Sequence, residues 1–126
     1  ARFFKFSPGV RIRPIVFQRS TDTLTHDAKE NVDHMTNAIK SYPNFRIVVE
    51  GHTNIRGDPQ VNLQLSQDRA ETVARYLMVT YEVKQNRIRA IGYGGEKPLS
   101  KRLDETDQEH LARLPRVVVK LVTEAY

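Results

Sequence analysis

Two hydrophobic periods take turns along this chain, and a chain patterned that way lays helices over a sheet. Phe45, Ile47 and Val49 alternate with Arg46, Val48 and Glu50, the period of a strand with one strongly apolar face, and Gly51 closes it. Ahead of it Ala28, Val32, Met35 and Ile39 recur at helical spacing. Thr25 is placed to cap that helix, Asp27 and Glu30 in its first turn and Lys40 in its last suit the helix dipole, and Pro43 ends it. A polar loop, 52–59, follows the strand. Ser66 is the expected cap of a second helix, whose stripe is Ala70, Val73, Ala74, Leu77 and Tyr81. Ile88, Ala90 and Tyr93 predict a third strand, stopped by Gly94 and Gly95. The stretch 97–114 reads as a polar loop with a short helix around 107–112. Val117, Val119 and Leu121 then alternate with Val118, Lys120 and Val122 as a last strand.

At the start, Val10, Ile12, Pro14 and Val16 alternate with Arg11 and Arg13, a strand interrupted by proline. Its core part is expected at 14–17. Residues 1–13 are read as an N-terminal linker or an extra strand, and 14–126 as the domain. Two right-handed crossovers make the first three strands parallel, and the last adds antiparallel. The expected fold is α+β: a two-layer α/β sandwich, βαβαβ-β, with a mixed four-stranded sheet and helices on one face.

A length of 126 residues allows one domain and excludes two ordinary ones. Cysteine is absent, which excludes disulfides, thiolate metal sites and cysteine nucleophiles. No apolar run approaches the roughly 20 residues of a membrane helix. Residues 1–5 lack the apolar core of a signal peptide, so the sequence reads as a mature protein or an excised domain. Twenty Lys and Arg against fifteen Asp and Glu give a net charge of +5, which draws the chain to polyanions. The cations are spread rather than blocked, and most aromatics occupy core positions. A nucleic-acid partner is therefore not expected.

The chemistry-bearing motifs come in order. Val49-Glu50-Gly51-His52-Thr53-Asn54 precedes Gly57, then Asn62-Leu63-Gln64-Leu65-Ser66-Gln67-Asp68-Arg69-Ala70, then Gly92-Tyr93-Gly94 with Pro98 four residues on. This set resembles the OmpA-like peptidoglycan-binding domain, over about 14–122. The resemblance implies a non-catalytic module that anchors an envelope, motor or secretion-stator protein to the cell wall. It works in the periplasm, joined to the outer or inner membrane through a part of the protein outside this chain. The family grips the free end of diaminopimelate in the stem peptide, one ammonium and one carboxylate on a single carbon. A guanidinium fork suits that carboxylate. Carried over by motif, Arg69 takes the carboxylate, and Asn62 lines the pocket. Thr53 and Leu65 shape its wall. Ser20 stands at the rim, and Arg116 enters from the last strand.

Two places depart from the pattern: the last strand is entered by Leu114-Pro115-Arg116-Val117 where the family favours Asn-Arg-Arg-Val, and the loop after the second strand lacks its carboxylate. The family has Asp where this chain has Asn54, which can accept a hydrogen bond from an ammonium but brings no charge. Asp58, four residues on, is the loop carboxylate placed to compensate. Asn54 also reads as a plain turn residue. The alternative function is accordingly an OmpA-like scaffold or dimerisation domain with weak or lost wall binding, whose partner is a second copy. An enzyme is not expected. His26, His34, His52 and His110 lack the one-turn spacing of helical zinc ligands, and no nucleophile–base set is visible. His52 is expected to brace its loop by a hydrogen bond. No cofactor or metal is called for.

Overall fold

A computed structural model describes residues 2–6, 26–43 and 45–125. Strand β1 (Arg2–Phe6) is followed by helix α1 (His26–Ser41), strand β2 (Arg46–His52) and helix α2 (Pro59–Tyr81). A short 3-10 turn, Gln85–Arg87, leads into β3 (Ile88–Gly92), and α3 (Asp107–Arg113) precedes β4 (Arg116–Ala125). The chain is a mixed α+β protein.

The described sheet runs β1-β4-β2-β3. β2 and β3 are parallel, as a helical crossover requires, and β4 is antiparallel to β2. β1 pairs antiparallel with β4, Arg2 opposite Ala125 and Phe6 opposite Leu121. Three of these strands are those expected from period-two alternation. The strand expected at 14–17 lies outside the described residues, as does Thr25.

The core explains the patterning. Ala28, Val32, Met35 and Ile39 of α1 meet Ala70, Val73, Ala74 and Leu77 of α2. Below them lie Ile47 and Val49 of β2 and Val117, Val119 and Leu121 of β4. Register puts these strand residues on one face: Ile47 faces Leu121 and Val49 faces Val119. Each fully buried Val, Ile or Leu contributes about 1.5–3 kcal/mol, so this face fixes the register. The two long helices cover it. Tyr81 lies at the core's margin, and its hydroxyl and that of Tyr76 both bond the Asp33 carboxylate, tying α2 to α1.

Two glycines bring α2 down onto the sheet. A Cβ at Gly51 would stand 2.0 Å from the Ser66 carbonyl oxygen, and one at Gly92 2.4 Å from the Gln67 nitrogen. Only a missing side chain permits that approach.

Helix α2 starts earlier than expected. Ser66 does not cap it. Asp58 does, its carboxylate accepting from the N–H groups of Gln60 at 2.8 Å and Val61 at 3.4 Å. Pro59 then supplies a preset φ at the first turn. The early turns were unreadable by period because their apolar residues face water: Val61 is 62% exposed and Leu63 40%. The stretch after β3 is held by a capping box between Thr106 and Glu109 and by a two-pronged Arg113–Glu105 pair, at 2.6 and 2.7 Å.

Candidate functional site

Topology gathers the motif residues at one end of the sheet. Parallel strands β2 and β3 both end there, and antiparallel β4 begins there. Register sets His52 opposite Arg116 and Gly51 opposite both Gly92 and Val117. The loop after β2, the first turns of α2, the turn after β3 and the entry to β4 therefore converge.

The loop is pinned by its own polar groups. Thr53, buried, donates its N–H to the Gly94 carbonyl at 2.9 Å and its hydroxyl to the Asn54 carbonyl at 3.2 Å. The Asn62 amide reaches back from α2 to the carbonyls of Asn54 at 3.3 Å and Arg56 at 2.8 Å. Asn54 Oδ1 accepts the Arg56 N–H at 3.3 Å. Asn54 thus behaves as a turn residue while lying beside Asn62. Asp58 does not stand in for the missing charge at 54, because its carboxylate is engaged as the cap of α2.

Leu65 and Arg69 follow Asn62 by one and two turns. Leu65 is half-buried, and Arg69 is only 5% exposed. Helical side chains lean toward the N-terminus, so the Arg69 stem leads back toward the loop. Between them Ser66 and Gln67 clamp the turn after β3. Ser66 Oγ accepts the Gly94 N–H and donates to the Leu63 carbonyl, both at 2.8 Å. Gln67 accepts the Gly92 N–H at 2.7 Å and donates to the Ala90 carbonyl at 3.2 Å. Ser20 lies outside the described residues.

Arg116 is buried and spends its fork on main chain: Nη1 donates to the Leu114 carbonyl at 2.6 Å and Nη2 to that of Lys97 at 3.0 Å. Burial lowers its pKa. Beside it His52 is 3% exposed, with Nε2 3.6 Å from the Glu50 carboxylate. Burial, then the Arg116 charge, pushes His52 down to about 4, so the imidazole is neutral at ordinary pH. His52 Nδ1 and Arg116 Nε are buried without a hydrogen-bond partner among the described residues. His52 therefore braces the site by packing, its ring stacked on Tyr93 at 5.5 Å, more than by hydrogen bonding its loop. Lys97 lies over the other part of that stack, 3.9 Å from the Tyr93 centroid. Glu50 pairs with Lys120 at 2.8 Å; burial raises its pKa, but the Lys120 bond and charge outweigh that and hold it low.

A hollow of about 270 Å³ opens between the loop and the turn after β3, with Asn62, Leu63, Tyr93, Gly94 and Glu96 on its walls. A larger one, about 490 Å³, lies at the far end of the molecule around Phe45, Tyr81 and Arg87. Arg87 there bonds the carbonyls of Phe45, Ile39 and Tyr42, a structural brace remote from the motifs. Among the described residues no cluster of three His, Cys, Asp or Glu could hold a metal. Ser66 and Gln67 were not read as the clamps of the turn after β3. Their roles depend on partners across the fold, which no local pattern encodes.

A model of the OmpA family matches residues 16–111. The peptidoglycan-associated lipoprotein of Rhizobium meliloti (strain 1021) is 37% identical over 86 residues, 68% of this chain and 48% of that protein. Outer membrane porin F of Pseudomonas aeruginosa is 29% identical over 111 residues, 88% of this chain and 31% of the porin. The chain spans about half the length, or less, of these relatives. Among solved structures, the peptidoglycan-associated lipoprotein from Burkholderia pseudomallei superimposes with a TM-score of 0.68 at 27% identity, covering 87% of this chain and 88% of that one. The C-terminal domain of Helicobacter pylori MotB gives a TM-score of 0.72 at 23% identity, covering 91% and 88%, a likeness of fold.

Proposed function

This chain belongs to the OmpA family, and from that premise we propose that it is a non-catalytic module that binds peptidoglycan and anchors a larger envelope protein to the cell wall. The ligand in this reading is the free end of diaminopimelate in the stem peptide. Residues 14–126 form the binding domain, working in the periplasm, and a part of the protein outside this chain makes the membrane attachment.

The observation that carries the reading is Arg69. It is the cation of the family run, and it is buried on the face of α2 whose first turns frame the motif loop. In this reading its guanidinium takes the ligand carboxylate, Asn62 and Thr53 hold the loop beside it, and Leu65 and Ser20 flank the pocket. Arg116 fixes the entry to β4 through its two carbonyl bonds and adds positive potential. Asn54 accepts from the ammonium without a charge of its own.

The test is sedimentation of the protein with purified wall sacculi, competed by free diaminopimelate. The wild-type chain is expected to co-sediment and to be released by the competitor. Arg69→Lys keeps the charge but loses the fork, and Arg69→Ala loses both; binding should weaken in that order. A folded Arg69→Ala variant that still co-sediments would reject the pocket. The scaffold reading predicts no competition by diaminopimelate and self-association instead.

A further inference from the structure

Strand β3 is the outer strand of the described sheet, so one of its edges has no strand beside it among the described residues. A bare edge is a template on which another chain can pair. The Tyr93 N–H points the other way, to the Gly51 carbonyl of β2 at 2.9 Å. Successive peptide groups of a strand point to opposite edges, so the N–H and C=O groups of Ala90 and Gly92 point outward.

Two of these outward groups are taken by one side chain. Gln67 Nε2 donates to the Ala90 carbonyl at 3.2 Å, and Gln67 Oε1 accepts the Gly92 N–H at 2.7 Å. One residue of a parallel neighbour, lying opposite Ile91, would make the same two bonds. We propose that Gln67 is an edge guard: its amide fills the place of a strand and keeps the β3 of a second copy of this chain from pairing there.

The amide is fixed for this task. Nε2 also donates to the Glu71 carboxylate at 3.0 Å, so turning the group over would set its oxygen against two others. Gly92 lets the helix come close enough, since a Cβ there would stand 2.4 Å from the Gln67 nitrogen, and a short side chain then reaches the strand. Gln67 is half-buried, which lessens competition from water. To either side the chain also covers its own donors. The Ile88 N–H turns back to the Gln85 carbonyl, and Ser66 Oγ accepts the Gly94 N–H at 2.8 Å.

The strand itself suits a second copy. Two β3 strands meeting antiparallel about a two-fold axis at Ala90 form a closed, self-complementary pair. Arg89, the only charge in the strand, then stands opposite Ile91 of the other copy, and no two like charges face each other directly. The net charge of +5 on each copy opposes the meeting at low salt. Once salt screens that charge, the guard is what remains.

Sedimentation velocity in about 0.5 M salt tests this. Gln67→Ala should self-associate about tenfold more tightly than the wild type, because each copy then offers two free edge groups. Gln67→Glu keeps the acceptor for Gly92 but has no donor for Ala90, and should fall between. Adding Ile91→Lys to Gln67→Ala sets a cation opposite Arg89 of the other copy and should abolish the gain. Circular dichroism checks that the variants fold. Hydrogen exchange reads the guard in the wild type alone, where the Gly92 amide should be slow. A folded Gln67→Ala that associates no more than the wild type overturns the inference. So does an association that survives Ile91→Lys, since it then runs through another surface. A wild-type Gly92 amide that exchanges freely also overturns it, whatever the variants do.

Discussion

Two residues of the loop set its chemistry, and each supports a prediction. Asn54→Asp keeps shape and adds a carboxylate beside the site. Affinity for diaminopimelate should rise about tenfold, near 1.4 kcal/mol, and the gain should shrink in salt. Calorimetry on the two proteins at low and high salt reads the effect; an unchanged or weaker Asn54→Asp would make residue 54 a turn residue only. His52 governs pH. It is neutral when folded, with a pKa pushed from 6.5 to about 4, so the unfolded chain takes up its proton first as pH falls. Its contribution to stability is therefore whole above pH 6.5 and lost on the way down to 4. At about 1.4 kcal/mol per pH unit this amounts to roughly 3 kcal/mol. Urea melts across that window should show the loss, and His52→Asn should flatten it. Glu50, held low against Lys120, extends acid sensitivity below the window, in the same direction.

At the scale of elements, the site depends on how closely α2 lies on β2 and β3. Gly51 and Gly92 set that spacing, because a methyl at either would meet helix main chain, which cannot rotate away. Gly51→Ala should cost about 3 kcal/mol or more, read as a lowered urea midpoint. It should also displace the Ser66–Gly94 contact, which holds the turn after β3. A variant as stable as the wild type would show that α2 shifts freely and that the spacing is not fixed by this glycine. The same helix shows how far patterning reaches. Its buried stripe, Ala70 to Leu77, was plain at helical period. Its first two turns were not, because Val61 and Leu63 face water and the start is encoded in a cap and a proline.

For the whole molecule, a net charge of +5 gives any anionic wall polymer some attraction. Salt and wall type separate that attraction from the pocket. A stem peptide with lysine in place of diaminopimelate ends in a plain amine and offers Arg69 no carboxylate. Sacculi of that type should bind weakly, and the difference between wall types should outlast 0.5 M salt while general adsorption fades. Equal binding to both types, lost together in salt, would leave only adsorption. The sequence by itself determined the α+β class, the strands at 45–50, 88–93 and 117–122 and the core stripes. These are read from period and spacing, which neighbours along the chain carry. Only the tertiary structure decided that Asp58 caps α2, that Arg2–Phe6 pairs with β4, and that Ser66 holds a turn 28 residues away. It alone decided that His52 is buried against Arg116 and that Glu96 shares a hollow with Asn62. Burial and charge pairing are set by which segments the packed sheet brings together, and a polar residue looks the same in sequence whether it meets water, a cap or a ligand.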